Sequence, residues 1–174
     1  MNTLVVKNLL LKVQQPYILI LIGPPLVGKS SFIKKLLPDL PNHDIVVVSR
    51  DEILLDTYGS DDYEEAFKNV NQKEVDRRLI SKIKEAAKEH KNVIIDMTHM
   101  TRKRRVYNLS FFSKDYYKLG IIFPILDDAE YTRRNTKRKS EEKKDISPQI
   151  LRNMIKSYQP VDTKSEGFDR IISL

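Results

Sequence analysis

The sequence predicts an α/β fold in which a mainly parallel sheet is covered by helices on both faces. Three observations predict it. Short runs of apolar, often β-branched residues recur at 17–22, 45–48 and 93–95, and runs that are apolar at every position suit strands buried on both faces. Longer segments between them carry apolar residues at helical spacing, and alternation of strand and helix is how crossover-connected parallel strands read in sequence. The 174 residues are enough for one sizeable core but short for two, so one domain over 1–174 is expected, with 1–16 as an N-terminal extension.

The stretch 4–13 is apolar but interrupted by Lys7, Asn8 and Lys12 and lacks a small-residue cleavage site. That argues against a signal peptide and for a short strand or helix beside the core. Residues 17–22 form the first strand, and a glycine-bearing loop follows directly. A helix is then predicted over 29–37, with Phe32, Ile33, Leu36 and Leu37 at helical spacing and Pro38 as its stop. After a second strand at 45–48, the pattern is helical from 63 to 90, with Val75, Leu79, Ile83, Ala86 and Ala87 on one face. A strand at 93–95, a helix at 101–112 and a strand at 120–126 come next. Residues 129–144 are a charged helical segment with little apolar face. Ser147 caps a helix that opens on Pro148 and runs to about 157, and 168–174 supplies a fifth strand.

Net charge is +7, and the basic residues crowd into 102–105 and 133–144 while 61–65 is acidic; anionic partners are favoured, and a polyanion should meet the two basic segments. No stretch approaches the roughly 20 apolar residues that span a bilayer. A soluble protein with no membrane partner is expected. The absence of cysteine excludes disulfides, thiolate zinc sites and cysteine nucleophiles, and fits a cytoplasmic location.

Gly23-Pro24-Pro25-Leu26-Val27-Gly28-Lys29-Ser30 separates two glycines by four residues and follows them with lysine and a hydroxyl residue. It lies between a strand and a helix, the setting a P-loop requires. Such a loop wraps backbone N–H groups around nucleotide phosphates, and the helix N-terminus adds partial positive charge. ATP is therefore expected on Gly23 through Gly28, Lys29, Ser30 and Ser31, with Lys29 on the β- and γ-phosphates and Ser30 on Mg²⁺. An ordinary strand-to-helix turn is the plainer alternative. The pattern specifies a nucleotide but not a reaction, since GTPases, ATPase motors and kinases share it.

Ser49-Arg50-Asp51-Glu52 stands just beyond the second strand, where ligands of open α/β sheets bind. Asp51 is the candidate acceptor for the proton that a hydroxyl loses on attacking a phosphoryl group; its structural alternative is a helix N-cap. Asp96, at the end of the third strand, is a candidate for the magnesium or acceptor side, or else a cap or a hydrogen-bonded strand end. His99 lies apart from His43 and His90 in sequence, so no histidine metal site is expected. In the charged segment, Arg134 and Arg138 share a helix face, with Arg133 beside them. A helix with so little apolar stripe is poorly anchored, which suits a lid at 128–145 whose arginines stabilise charge on a transferring phosphoryl group. A solvated surface helix is the alternative.

The P-loop, Arg50-Asp51-Glu52 after strand two, Asp96-Met97-Thr98 followed by paired basic residues, and Arg134-Asn135-Thr136-Lys137-Arg138 followed by Ile150-Leu151-Arg152-Asn153-Met154 together resemble the kinase half of bacteriophage-type 5′-polynucleotide kinases, over roughly residues 17–158. The resemblance implies a five-stranded P-loop kinase sheet, ATP and Mg²⁺, Asp51 as general base, Lys29 and Ser30 on phosphate and metal, and Arg138 on the ATP phosphates. It also implies an acceptor site of Asp51, Asp96, Thr98 and Arg104. Leu54 departs from the family, which has there an arginine gripping the acceptor's neighbouring phosphate, and His99 replaces a usual asparagine.

Three functions follow for consideration. The first is a kinase of the 5′-hydroxyl end of DNA or RNA, favoured by the basic clusters. The second is a kinase of another hydroxyl, on a modified DNA base, a nucleoside or a small molecule. The third is a nucleotide-binding regulatory module, which has no need of Asp51 or of the arginine-rich segment.

Overall fold

A computed structural model describes residues 3–41 and 44–174; His43 lies outside the described residues. Among the described residues the strands are β1 (Tyr17–Ile22), β2 (Ile45–Ser49), β3 (Asn92–Asp96), β4 (Tyr117–Ile122) and β5 (Arg170–Ser173). They form one five-stranded sheet in the order β2-β3-β1-β4-β5, parallel at every pairing. The helices are α1 (Leu4–Leu10), α2 (Lys29–Leu36), α3 (Arg50–Tyr58), α4 (Tyr63–Asn69), α5 (Gln72–Lys88), α6 (Arg102–Leu109), α7 (Asp128–Glu142), α8 (Pro148–Lys156) and α9 (Thr163–Glu166).

Every residue of β1 is buried, and its two faces feed two cores. Ile18, Ile20 and Ile22 pack with Leu54 of α3 and with Val75, Leu79 and Ile83 of α5. Leu19 and Leu21 pack on the other side with Val6 and Leu10 of α1 and with Phe32, Ile33 and Leu36 of α2. This is the period of two that a strand imposes. Because β1 is the central strand, the loop that leaves it emerges at the middle of the sheet's carboxyl edge, where open α/β sheets bind ligands.

Several boundaries differ from the sequence reading. Residues 63–90 are two helices, because Asn71 leaves the helical conformation and its side chain accepts from the Lys73 and Glu74 amides. The segment after β2 is a further helix, α3, capped by Ser49 and ended by Gly59 in the left-handed region at φ 80°. The fourth strand starts at Tyr117, since Tyr117 and Lys118 pair with Tyr17 and Ile18. It ends at Ile122: the Phe123 amide still donates to the Ile22 carbonyl at 2.8 Å, but Pro124 has no N–H to continue the ladder. At Gly120 in β4 a Cβ would lie 2.5 Å from Ile171 Cδ1 and 3.1 Å from Phe168 Cε1, so a larger residue there would push these side chains aside.

Candidate active site

The 23–28 loop reverses between β1 and α2 with Leu26 at φ 69° and Gly28 at φ 96°, left-handed values that glycine adopts freely and leucine only at a cost. The Gly23 amide donates to the Thr98 carbonyl at 2.9 Å, tying the loop to the segment after β3. Lys29 is buried and folds back to donate to the carbonyls of Gly23 and Pro24 at 2.9 and 2.6 Å. Burial pushes its pKa down to about 8, against the opposing pull of Asp96; the charges of Arg138 and Asp51 also act on it.

Ser30 Oγ donates to Asp96 Oδ2 at 2.7 Å. Burial raises the pKa of Asp96, and the Ser30 bond and Lys29 hold it back. A hydroxyl and a carboxylate side by side at a phosphate loop are hard oxygen donors, the kind Mg²⁺ accepts while keeping several waters. Ser30 and Asp96 therefore fit that ion.

Parallel pairing sets Ser49 opposite Asp96, which brings Asp51 to the same sheet edge. Ser49 Oγ, not Asp51, accepts from the Glu52 amide as the cap of α3. The Asp51 carboxylate instead accepts from Tyr63 Oη at 3.1 Å, Lys144 Nζ at 3.3 Å and Arg138 Nη2 at 3.4 Å. One helical turn earlier on α7, Arg134 donates to the Leu26 carbonyl at 2.9 Å and to Glu130 at 2.6 Å. Helix α7 thus touches both the phosphate loop and Asp51.

Lys29, Ser30, Asp96, Asp51, Arg134 and Arg138 accordingly converge on one edge, with the backbone of Gly23, Pro24, Leu26 and Thr98 woven among them. Val27 packs in the core, Pro25 is half-buried and Ser31 is exposed at the start of α2. Arg104 is exposed on α6 and makes no side-chain bond to this cluster among the described residues. Leu54 is fully buried.

One expectation needs correction. Arg105, counted with the basic segment 102–105, has no exposed surface: it forms a two-pronged ion pair with Glu166 at 2.6 and 2.8 Å and donates to the carbonyls of His99, Met100, Gln159 and Pro160. It is a strut and meets no polyanion. His99 is also structural. Its Nδ1 lies 2.9 Å from the Leu21 carbonyl, which can only accept, so Nδ1 carries the proton and Nε2 accepts from Asn108 at 2.8 Å. Burial pushes its pKa down to about 4. The ring holds the end of β1 to the segment carrying Asp96 and Thr98.

Sequence reasoning did not single out Lys144 or Tyr63, which contact Asp51 from 93 and 12 residues away. Lys144 ends the basic run, and only the fold shows where that end lies. A cleft of about 450 Å³ opens beside the loop, lined by Val5, Val27, Pro124, Leu126, Arg134 and Leu174. Its mainly apolar walls and single guanidinium suit a flat heterocycle.

A central parallel strand feeding this loop, with the hydroxyl–carboxylate pair behind it, defines a P-loop nucleotide-binding domain of the kinase type. Residues 18–161 match the AAA domain family, and the chain belongs to it. No curated protein matches the sequence. Among solved structures, a chain of the Pnkp1/Rnl/Hen1 RNA repair complex is 23% identical with a TM-score of 0.67, covering 91% of this chain and 48% of its own. Kti12 of Chaetomium thermophilum, in complex with ADP-AlF3, is 13% identical with a TM-score of 0.64, covering 90% and 88%. A gluconokinase from Sinorhizobium meliloti 1021 is 11% identical with a TM-score of 0.53, covering 92% and 83%. These likenesses establish the fold. The chain spans about half the length of the RNA-repair chain it matches.

Proposed function

We propose that this protein is an ATP-dependent kinase that phosphorylates the 5′-hydroxyl end of DNA or RNA. The observation that carries the reading is the place of Asp51: a carboxylate with no capping duty, on the sheet edge of the phosphate loop, contacted by the helix that also touches that loop. A protein that only binds nucleotide has no use for it. The net charge of +7 and the likeness to a chain of an RNA repair complex support a nucleic-acid acceptor.

In this reading the amides of Leu26, Val27 and Gly28, with the Lys29 side chain, hold the ATP phosphates, since Pro24 and Pro25 have no N–H and the Gly23 amide is taken by Thr98; the adenine lies in the cleft beside Arg134, and 128–145 acts as a lid. Ser30 and Asp96 would hold Mg²⁺, which would supply positive charge to the phosphates. Arg138 leaves Asp51 for the γ-phosphoryl oxygens, where its charge is worth more in a site closed to water. Asp51 thereby loses one of the two cations on its Oδ2, while Lys144 and Tyr63 stay beside it. The acceptor oxygen bonds to the γ-phosphorus as the bond to the bridging oxygen breaks, ADP departs with that electron pair, and the hydroxyl proton passes to Asp51.

Transfer from γ-labelled ATP tests the reading across oligonucleotides with 5′-hydroxyl ends, 5′-phosphate ends or hydroxymethylated bases, beside free nucleosides. Label on the 5′-hydroxyl oligonucleotides alone is expected. Label on modified bases or on nucleosides only would move the acceptor, and nucleotide binding without any transfer would make the protein a regulatory module.

A further inference from the structure

Beyond Arg138, helix α7 ends at Lys143 in the left-handed region at φ 51°. The two lysines there close onto α3 and the start of α4: Lys143 Nζ reaches Asp62 at 3.1 Å, and Lys144 Nζ reaches Asp51 at 3.3 Å while lying 4.5 Å from the centre of the Tyr63 ring. Tyr63 is itself fixed, donating to the other Asp51 oxygen at 3.1 Å and stacking on Phe67 at 6.0 Å. The Lys144 side chain is 17% exposed, so it is largely covered by its neighbours and still reachable from solvent.

Two cations converge on one oxygen. Arg138 and Lys144 both address Asp51 Oδ2, at 3.4 and 3.3 Å, beyond the roughly 2.7–2.9 Å of a saturated charge-assisted bond. Arg138 has a second partner in Glu142 at 3.4 Å; Lys144 has only the face of Tyr63, which binds a cation but accepts few of its three N–H groups. The order along the chain separates their tasks. Arg134 reaches the phosphate loop, Arg138 reaches Asp51, and Lys144 reaches Asp51 from the side of α4.

We infer that Lys144, set against Tyr63, is an acceptor subsite that takes the phosphate next to the reacting hydroxyl of a nucleic-acid strand. The hydroxyl itself rests on the kinase reading above; the subsite rests on the Lys144, Tyr63 and Asp51 geometry. When ATP draws Arg138 to its phosphates, Lys144 remains as the cation beside Asp51, and the ligand left for it is an anion borne by the acceptor. A lysine asks for charge without a fixed fork geometry, which suits a phosphodiester whose sugar must still turn its hydroxyl towards Asp51.

Binding and transfer, measured separately, test this. Fluorescence anisotropy with the full chain is run on a 5′-hydroxyl oligonucleotide and on the same strand carrying one uncharged methylphosphonate at its first linkage. Lys144→Ala is expected to weaken binding of the charged strand about 10- to 100-fold, the scale of a hydrogen bond to a charged group. The neutral linkage should weaken the parent equally, and the two changes together should cost no more than either alone, as for groups in direct contact. Lys144→Arg should recover part of the loss, and Lys88→Ala, which removes an exposed charge at the end of α5 outside both basic segments, should cost less than about twofold. Additive losses from Lys144→Ala and the neutral linkage, or equal losses from Lys144→Ala and Lys88→Ala, would overturn the subsite. Transfer is scored apart: coupled binding losses in a parent that moves no label would sink the kinase reading and leave the subsite standing. Transfer with additive losses would do the reverse.

Discussion

Two contacts between a basic side chain and a carboxylate hold opposite ends of the chemistry this molecule can do. Arg105 and Glu166 are both fully buried, meet in two bonds at 2.6 and 2.8 Å, and leave no guanidinium donor without an acceptor. Arg138 and Asp51 are 25% and 39% exposed, meet once at 3.4 Å, and share the carboxylate with Lys144 and Tyr63. A desolvated pair with complete bonding cannot exchange partners without a large loss, because either member alone would be a buried, uncompensated charge. A half-solvated pair with long bonds exchanges readily. The first contact joins α6 to the segment around α9 and keeps shape; the second joins α7 to the sheet edge that carries the phosphate loop, where under the proposed function a phosphate competes for the arginine.

The comparison breaks first at the strut. Arg105→Ala should cost roughly 3–5 kcal/mol in denaturant unfolding, and Arg105→Met with Glu166→Leu should recover only the part due to the uncompensated carboxylate, because the carbonyls of His99, Met100, Gln159 and Pro160 and the Asp162 amide still lose these partners; a loss below about 1 kcal/mol would place Arg105 among ordinary surface pairs. Asp51→Asn should behave oppositely. Single-turnover transfer should fall about 10²-fold, or about 2.7 kcal/mol, with ATP affinity and unfolding nearly unchanged, and an active but destabilised variant would make Asp51 structural after all. Arg138→Ala should lower turnover about tenfold while leaving the oligonucleotide Michaelis constant within about twofold, since Lys29 still neutralises the phosphates. A change in oligonucleotide affinity alone would move Arg138 to the acceptor side.

The smallest effect is in protons. Burial holds Lys29 near a pKa of about 8, and bound phosphates favour its charged form, so the complex holds more protons than the free protein above that pH. Calorimetry at pH 9 in buffers of different ionisation enthalpy should register uptake of about one proton on ATP binding, and affinity should decline as pH rises from 8 to 10. Equal heats in all buffers would show that Lys29 is already charged without nucleotide.

Local signals carried the sheet and the phosphate loop. In β1 six consecutive apolar residues are followed at once by the glycine loop, and neither feature depends on a distant partner. The break at Asn71 was hidden because the apolar spacing of α5 continues into α4 while the cap acts through one side chain. The start of β4 was hidden because Tyr117 and Lys118 belong to the ladder without belonging to the apolar run. For the site, Lys29, Ser30, Asp51 and Asp96 follow from strand ends, which a sequence displays. Lys144 beside Asp51, and Arg105 beneath the surface against Glu166, join residues 93 and 61 positions apart, and no periodicity encodes such meetings. Charge alone misplaced Arg105, since a basic cluster reads the same whether one member is buried or not.

The sheet order also has a consequence for the chain as it is made. The central strand does not pair with β2, the next to be synthesised; Ile18 waits for Val93, and Leu19 for Ile94 and Leu119. At roughly 5–20 residues per second, a lag of 75 residues between Tyr17 and its partner Asn92 leaves the segment YILILI without its neighbours for roughly 4–15 seconds. It is apolar, rich in β-formers, uncharged and free of proline, the composition that stacks with copies of itself. The strand that positions the phosphate loop is thus also the one most exposed to aggregation during translation, and a nascent chain stalled before residue 92 would be the form a chaperone must hold.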